Sequence, residues 1–163
     1  MKVAVGVKKA AGIQALAFGR DQADWDVLAE AGEVFLVERA RLGRLTSYTE
    51  LNAALEGRTG LRRFDFGLQA DRTAMGHLLG LIVVERNRPV TGLMISALVI
   101  YLDGNDAGTG FYKLAQDLGE LPPGALSSRV KEEFWVGQVK ALHARYRRST
   151  AVNALYADEP GGR

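Results

Sequence analysis

Apolar residues in the first third of the chain recur at helical spacing. Leu28, Ala31 and Phe35 stand at i, i+3 and i+7, and Val27, Val34 and Leu36 widen the stripe. That pattern predicts an amphipathic helix over residues 25–41, with Asp24 as its N-cap and Gly43 as its stop. Ser47 followed three residues later by Glu50 has capping-box spacing, which predicts a helix from residue 48 to about 56, closed by Gly57. Residues 58–69 read as a loop, with Phe64 and Phe66 as anchors into the core. Asp71 is the expected cap of a further helix that runs at most to Arg88, because Pro89 disfavours helical backbone in the residue before it. Residues 78–84 are apolar all round, which fits either a buried helix or a switch into strand.

The second half of the chain begins with the stretch that reads most strongly as a strand, residues 91–102. Asp103-Gly104-Asn105-Asp106 supplies turn residues that tolerate positive φ. A short helix over 111–118 is closed by Gly119, and Leu121-Pro122-Pro123-Gly124 makes a rigid connector. The last helix is predicted over 128–148, with Trp135, Val139, Leu142 and Tyr146 at i, i+4, i+7 and i+11 facing the core. Phe134 and Trp135 are sequence neighbours, so one is expected inward and the other toward a partner. Residues 1–23 read as an arm or edge strand, 24–154 as one domain, and 155–163 as a frayed tail.

Helix, turn, helix, helix, strand, turn is the order of a winged helix, and many small α+β domains share it. The expected fold is therefore α+β: a small winged-helix-like domain with a short β-hairpin or small sheet and a long C-terminal helix. Length and composition agree with one ordinary globular domain: 163 residues, 47% hydrophobic and 25% charged. No apolar run reaches the roughly 18 residues of a membrane span, and Lys8 and Lys9 interrupt the only leader-like patch. Cysteine is absent, which excludes disulfides, thiolate catalysis and cysteine-ligated zinc and fits a cytoplasmic setting. Arginines fall into four groups: Arg39, Arg41 and Arg44; Arg58, Arg62 and Arg63; Arg86 and Arg88; Arg145, Arg147 and Arg148. Each follows or closes a predicted helix, where the backbone dipole favours cations; gathered on one face they would instead form a phosphate footprint.

Catalytic signatures are sparse. His77 and His143 are the two histidines, and with scattered carboxylates they give no zinc spacing, so no metal or cofactor is expected. Ser96 lacks the glycines of a nucleophile elbow. The Gly108–Lys113 stretch has neither Walker A spacing nor the dinucleotide fingerprint, and reads as a tight turn. Asp103, Asn105 and Asp106 lack the downstream glutamate of an EF-hand. Asp103 and Glu120 flanking Lys113 make the best set for a metal-dependent nuclease.

From residue 34 to 112 the order of features resembles the DNA-binding domain of alkylguanine DNA alkyltransferases and their alkyltransferase-like relatives. Thr46-Ser47-Tyr48-Thr49-Glu50 stands for one family motif, with Thr49 where glycine is usual, and Ala74-Met75-Gly76 stands for the opening of the recognition helix. Thr73 holds the place of the family's intercalating arginine, with Arg72 one position early. Ile95-Ser96-Ala97-Leu98-Val99 occupies the strand that carries the reactive cysteine, so alkyl transfer is excluded and only the scaffold is implied. Residues 76–115 also resemble uncharacterised bacterial proteins with a Ser-Ala-Leu-Val strand before a Gly-x-Gly-Phe turn. The resemblance implies a non-catalytic, cytoplasmic, bacterial or phage protein that binds duplex DNA through Arg44, Ser47, Tyr48, Arg72, Thr73 and His77, with residues 103–109 as the wing. The alternative is a regulatory module, phage- or defence-related, that grips a protein partner or a second copy through Trp135 and Tyr146 on its last helix. The nuclease is the third reading.

Overall fold

A computed structural model describes residues 14–103 and 106–157, with side chains over 16–103 and 106–147. Residues 1–13 of the arm expected over 1–23, Gly104 and Asn105 of the turn, and the end of the tail lie outside the described residues.

Helix α1 (Gln22–Arg41) runs through the centre, with Trp25, Leu28 and Leu36 fully buried. Its N-cap is Asp21, whose carboxylate accepts the Asp24 amide at 2.8 Å, so the helix opens a turn earlier than the Asp24 cap predicted. Gly43 stops it as expected, with φ of 66°. Strand β1 (Thr46–Ser47) leads into helix α2 (Tyr48–Thr59), which opens on the capping box. Ser47 Oγ accepts the Glu50 amide, and Glu50 Oε1 accepts the Ser47 amide. Gly57 does not end α2. The helix runs on to a left-handed Gly60, its last turn held by Thr59 Oγ1 on the Leu55 carbonyl and by Arg58 bonded twice to Glu38.

Helix α3 (Gln69–Leu81) begins two residues before Asp71, which does not cap it. Asp71 is buried, accepts the Asp65 amide at 2.6 Å and pairs with Arg62, so it ties the loop to the helix. The helix continues through a π turn (Ile82–Asn87) into a last turn (Arg88–Thr91) and passes Pro89. The Arg88 amide reaches back five residues to the Val83 carbonyl. This wider turn makes room for a ring that would collide with the carbonyl four residues back in a regular α-helix. The apolar stretch 78–84 is thus buried helix rather than strand, with only Val84 outward.

The predicted strand 91–102 shrinks to β2 (Val99–Ile100), preceded by a 3-10 turn (Ile95–Leu98). Ile95, Ala97, Leu98 and Val99 are all buried, so no face alternates with solvent. Two side chains of the last helix replace ladder partners: Gln138 Oε1 accepts the Met94 amide and Trp135 Nε1 donates to the Ala97 carbonyl, both at 2.8 Å. β1 and β2 pair in parallel, Thr46 opposite Val99 and Ser47 opposite Ile100. A single antiparallel bridge, Tyr101 to Asp106, closes the following turn. Helix α4 (Thr109–Asp117) starts two residues before the expected position and leads by the proline connector to helix α5 (Ser128–Ala157). Its Leu142 is fully buried, and α5 packs on α1 and on the 95–98 turn. Both Phe134 and Trp135 pack against the core, Phe134 on Phe111 and Trp135 on the 3-10 turn, so neither turns away from it. The described residues are mostly helical with one small parallel sheet, an α+β arrangement in the coarse sense.

Candidate nucleic-acid interface

Helix α3 separates cleanly into two faces. Ala74, Met75, Leu78 and Leu79 are buried, whereas Gln69, Arg72, Thr73, Gly76 and His77 are exposed. The exposed set has the i, i+3, i+4, i+7, i+8 spacing of one helix face. Among the described residues α5 packs chiefly on α1 and the 3-10 turn. A Cβ built on Gly76 or Gly80 would meet nothing within 4 Å, so neither glycine is required by packing.

Phe66 joins this face to Tyr48. The Phe66 carbonyl accepts Arg72 Nη1 at 2.7 Å, and its ring meets the Tyr48 ring edge-on at 6.4 Å. Arg72 also donates to Gln69 Oε1, which fixes the guanidinium at the helix N-terminus. Tyr48 lies in turn against Tyr101, with ring centroids 4.6 Å apart and an interplanar angle of 32°. Burial, and after it the neighbouring Tyr101 phenol, push the Tyr48 hydroxyl well above its ordinary pKa. Tyr101 itself is 54% exposed. Its position depends on Gly108, whose φ of 90° and missing Cβ let the ring lie across the backbone. Tyr48, Arg72 and Thr73 thus fall along one ledge with Phe66 and Tyr101, neither of which the sequence marked for it.

The other expected DNA-contacting residues are placed differently. Ser47 is 5% exposed and its hydroxyl is committed to the capping box. Thr73 is exposed, its hydroxyl resting on the Gln69 carbonyl. His77 is exposed but packed edge-on against Trp25 at 4.8 Å and tilted on Phe18 at 5.5 Å. Arg44 is exposed at the other end of β1, where its carbonyl accepts His143 Nε2 at 3.1 Å.

Trp135 and Tyr146, the residues of the protein-gripping alternative, are both half-buried on the core. Each is hydrogen-bonded within the chain, Trp135 to Ala97 and Tyr146 to Asn87 Nδ2 at 2.9 Å. Of the nuclease set, Glu120 is held by Arg88 at 2.6 Å and Lys113 faces Asp117, so each has a different partner. Among the described residues no three His, Asp or Glu side chains gather where they could hold a metal ion. Among the same residues no helix is long and apolar enough to cross a membrane. A cleft of about 470 Å³ is lined by Asp106, Tyr112, Lys131 and Trp135 and includes no residue of α3. Burial, followed by the bond from its hydroxyl to Asp106 at 2.7 Å, raises the Tyr112 pKa there.

The arginine groups divide by partner. Arg58, Arg62 and Arg63 face Glu38, Asp71 and Glu56, and Arg86 and Arg88 face Glu33 and Glu120. Arg39 reaches Glu50 at 3.9 Å, while Arg41, Arg44, Arg145 and Arg147 have no carboxylate within ion-pair distance among the described residues. Comparison with family models, with curated proteins and with solved structures finds no match to this chain.

Proposed function

We propose that this protein binds duplex DNA without chemistry, with α2 and α3 as a helix-turn-helix and the exposed face of α3 as its contact. The observation that carries the reading is the exposed stripe Gln69, Arg72, Thr73 and Gly76, with His77 resting on Phe18 and Trp25 at its end, on a helix whose opposite face is buried. Two glycines in an exposed helix forgo about 1 kcal/mol each relative to alanine, and here no neighbour demands them. A partner that approaches the backbone closely accounts for both. The order of elements supports a winged-helix arrangement, with the turn after Tyr101 as the wing. Asp103 and Asp106 make that turn acidic, so phosphate contact falls to α3 rather than to the wing; the Asp106 carboxylate is turned onto the Tyr112 hydroxyl and the Ala107 amide. Tyr101 and Leu102 give that wing an exposed apolar tip.

A duplex titration followed by fluorescence anisotropy tests the reading. Wild type is expected to bind with affinity that falls as salt rises. Arg72→Ala is expected to weaken binding by about tenfold in a protein that melts at the wild-type temperature, in keeping with about 1–3 kcal/mol for a direct contact. Wild-type affinity in that variant removes α3 from the contact.

A further inference from the structure

We propose that the seam between the end of α1 and residues 140–147 of α5 binds the phosphate backbone of nucleic acid. This rests on the duplex-binding reading and adds a second contact surface to it. From residue 134 to 157 the chain contains no Asp or Glu, yet it carries Lys140, Arg145, Arg147 and Arg148. Lys140, His143 and Arg147 lie on one stripe of α5, at i, i+3 and i+7. That stripe meets α1 where α1 ends. His143 Nε2 donates to the Arg44 carbonyl at 3.1 Å, and the Arg147 guanidinium lies directly over Gly43. The left-handed φ of 66° favours glycine at position 43, and the missing side chain leaves room for the Arg147 guanidinium to lie against the backbone.

Arg44 and Arg147, from arginine groups far apart in sequence, therefore meet at one seam, whereas Arg145 turns to the Val90 carbonyl at 3.5 Å. Among the described residues Arg44 and Arg147 have no carboxylate within ion-pair distance, while Arg39 reaches Glu50 at 3.9 Å. The last carbonyls of α1 are already taken: Glu38 by the Leu42 amide, Ala40 by Gly43 and Arg39 by Arg44. Arg147 is thus not required as a helix cap. The nearby carboxylates are also engaged, Glu38 by both nitrogens of Arg58 and Glu50 by Arg39, Thr46 and Ser47. Arg44, Lys140 and Arg147 are exposed cations; the Arg44 carbonyl is tied to His143 of α5, and Arg147 lies against Gly43. Lys140 and Arg147 are two turns apart, about 10.5 Å along the axis, so they reach separate phosphates. A bilayer fits less well, because the described apolar residues Phe134, Trp135, Val139 and Leu142 of α5 pack on the core rather than facing outward.

The test uses the full chain and a labelled duplex across a salt series. Each phosphate contact contributes about 0.9 to the slope of log affinity against log salt. Lys140→Gln with Arg147→Gln is expected to lower that slope by about 2 and affinity at moderate salt by tenfold or more. Arg147→Lys keeps the charge and is expected to keep the slope; Lys140→Gln alone, on an exposed residue, should lower it by about 1. If the double variant binds as wild type while Arg72→Ala is weakened, the seam is overturned and the α3 contact stands. If wild type binds no duplex at low salt, both fall. Seam-dependent capture by phosphatidylserine vesicles with no duplex binding reassigns the surface to a membrane and overturns the proposal.

Discussion

Asn52 does the work of a strand edge with one side chain. It is buried in α2, donates from Nδ2 to the Phe64 carbonyl at 2.8 Å, and accepts the Phe64 amide on Oδ1 at 2.9 Å. Phe64 is thereby held under Trp25, and the Arg20 guanidinium stacks 4.3 Å from its ring while bonding the Arg62 carbonyl. Asn52→Ala leaves one buried donor and one buried acceptor unpaired, at about 1–3 kcal/mol each, so denaturant unfolding is expected to show a loss of roughly 2–6 kcal/mol. Tyr48 gives a second test at this scale. Its folded pKa is raised, by burial first, so the stability it contributes is whole below the unfolded tyrosine value of about 10 and is lost as pH climbs above it. Tyr48→Phe should therefore flatten the alkaline fall of the melting temperature relative to wild type; an identical fall in the two proteins argues against a buried hydroxyl. Neither residue's role was legible in the sequence. Asn52 looks like any polar helix position, and its partner lies across a loop whose path no local pattern specifies.

At the scale of elements, local chemistry was readable and long-range satisfaction was not. The Ser47–Glu50 capping box, the Gly43 stop and the Leu142 stripe of α5 depend on residues within two or three turns, and each is where the spacing put it. Pro89 failed as a stop because the π turn ahead of it absorbs the ring. The strand expected over 91–102 failed because Gln138 and Trp135, some 40 residues away, satisfy its backbone in place of a neighbouring strand. Asp24 and Asp71 were read as caps from composition alone, whereas Asp21 captures the first turn of α1 and Asp71 is bound to the loop. The face of α3 was legible as a helix face; its joining to Tyr48 through Phe66 required the fold. Gly76 offers the prediction proper to this element. With open space at its Cβ, Gly76→Ala should raise stability by about 0.5–1 kcal/mol. Calorimetry paired with a duplex titration is expected to show a more stable protein that binds less tightly. A gain in stability with unchanged binding would make the glycine an accident of sequence.

For the whole molecule, a net charge of +2 conceals an uneven distribution. The arginines of the 58–63 and 86–88 stretches are neutralised by glutamates and an aspartate from other elements, while those of 39–44 and 145–147 are largely left open. That division could not be seen in the sequence, where all four groups look alike beside helix ends. It gives two surfaces to one proposed ligand: an uncharged-to-basic helix face that can approach a groove, and a basic seam that can hold phosphate. Backbone amide chemical-shift mapping during a duplex titration tests this most directly. The account predicts that the largest changes fall on Gln69–His77, on Tyr48 and Tyr101, and on Gly43, Arg44 and residues 140–147. Changes confined to the cleft around Asp106, Lys131 and Trp135, or none at all at low salt, would contradict it.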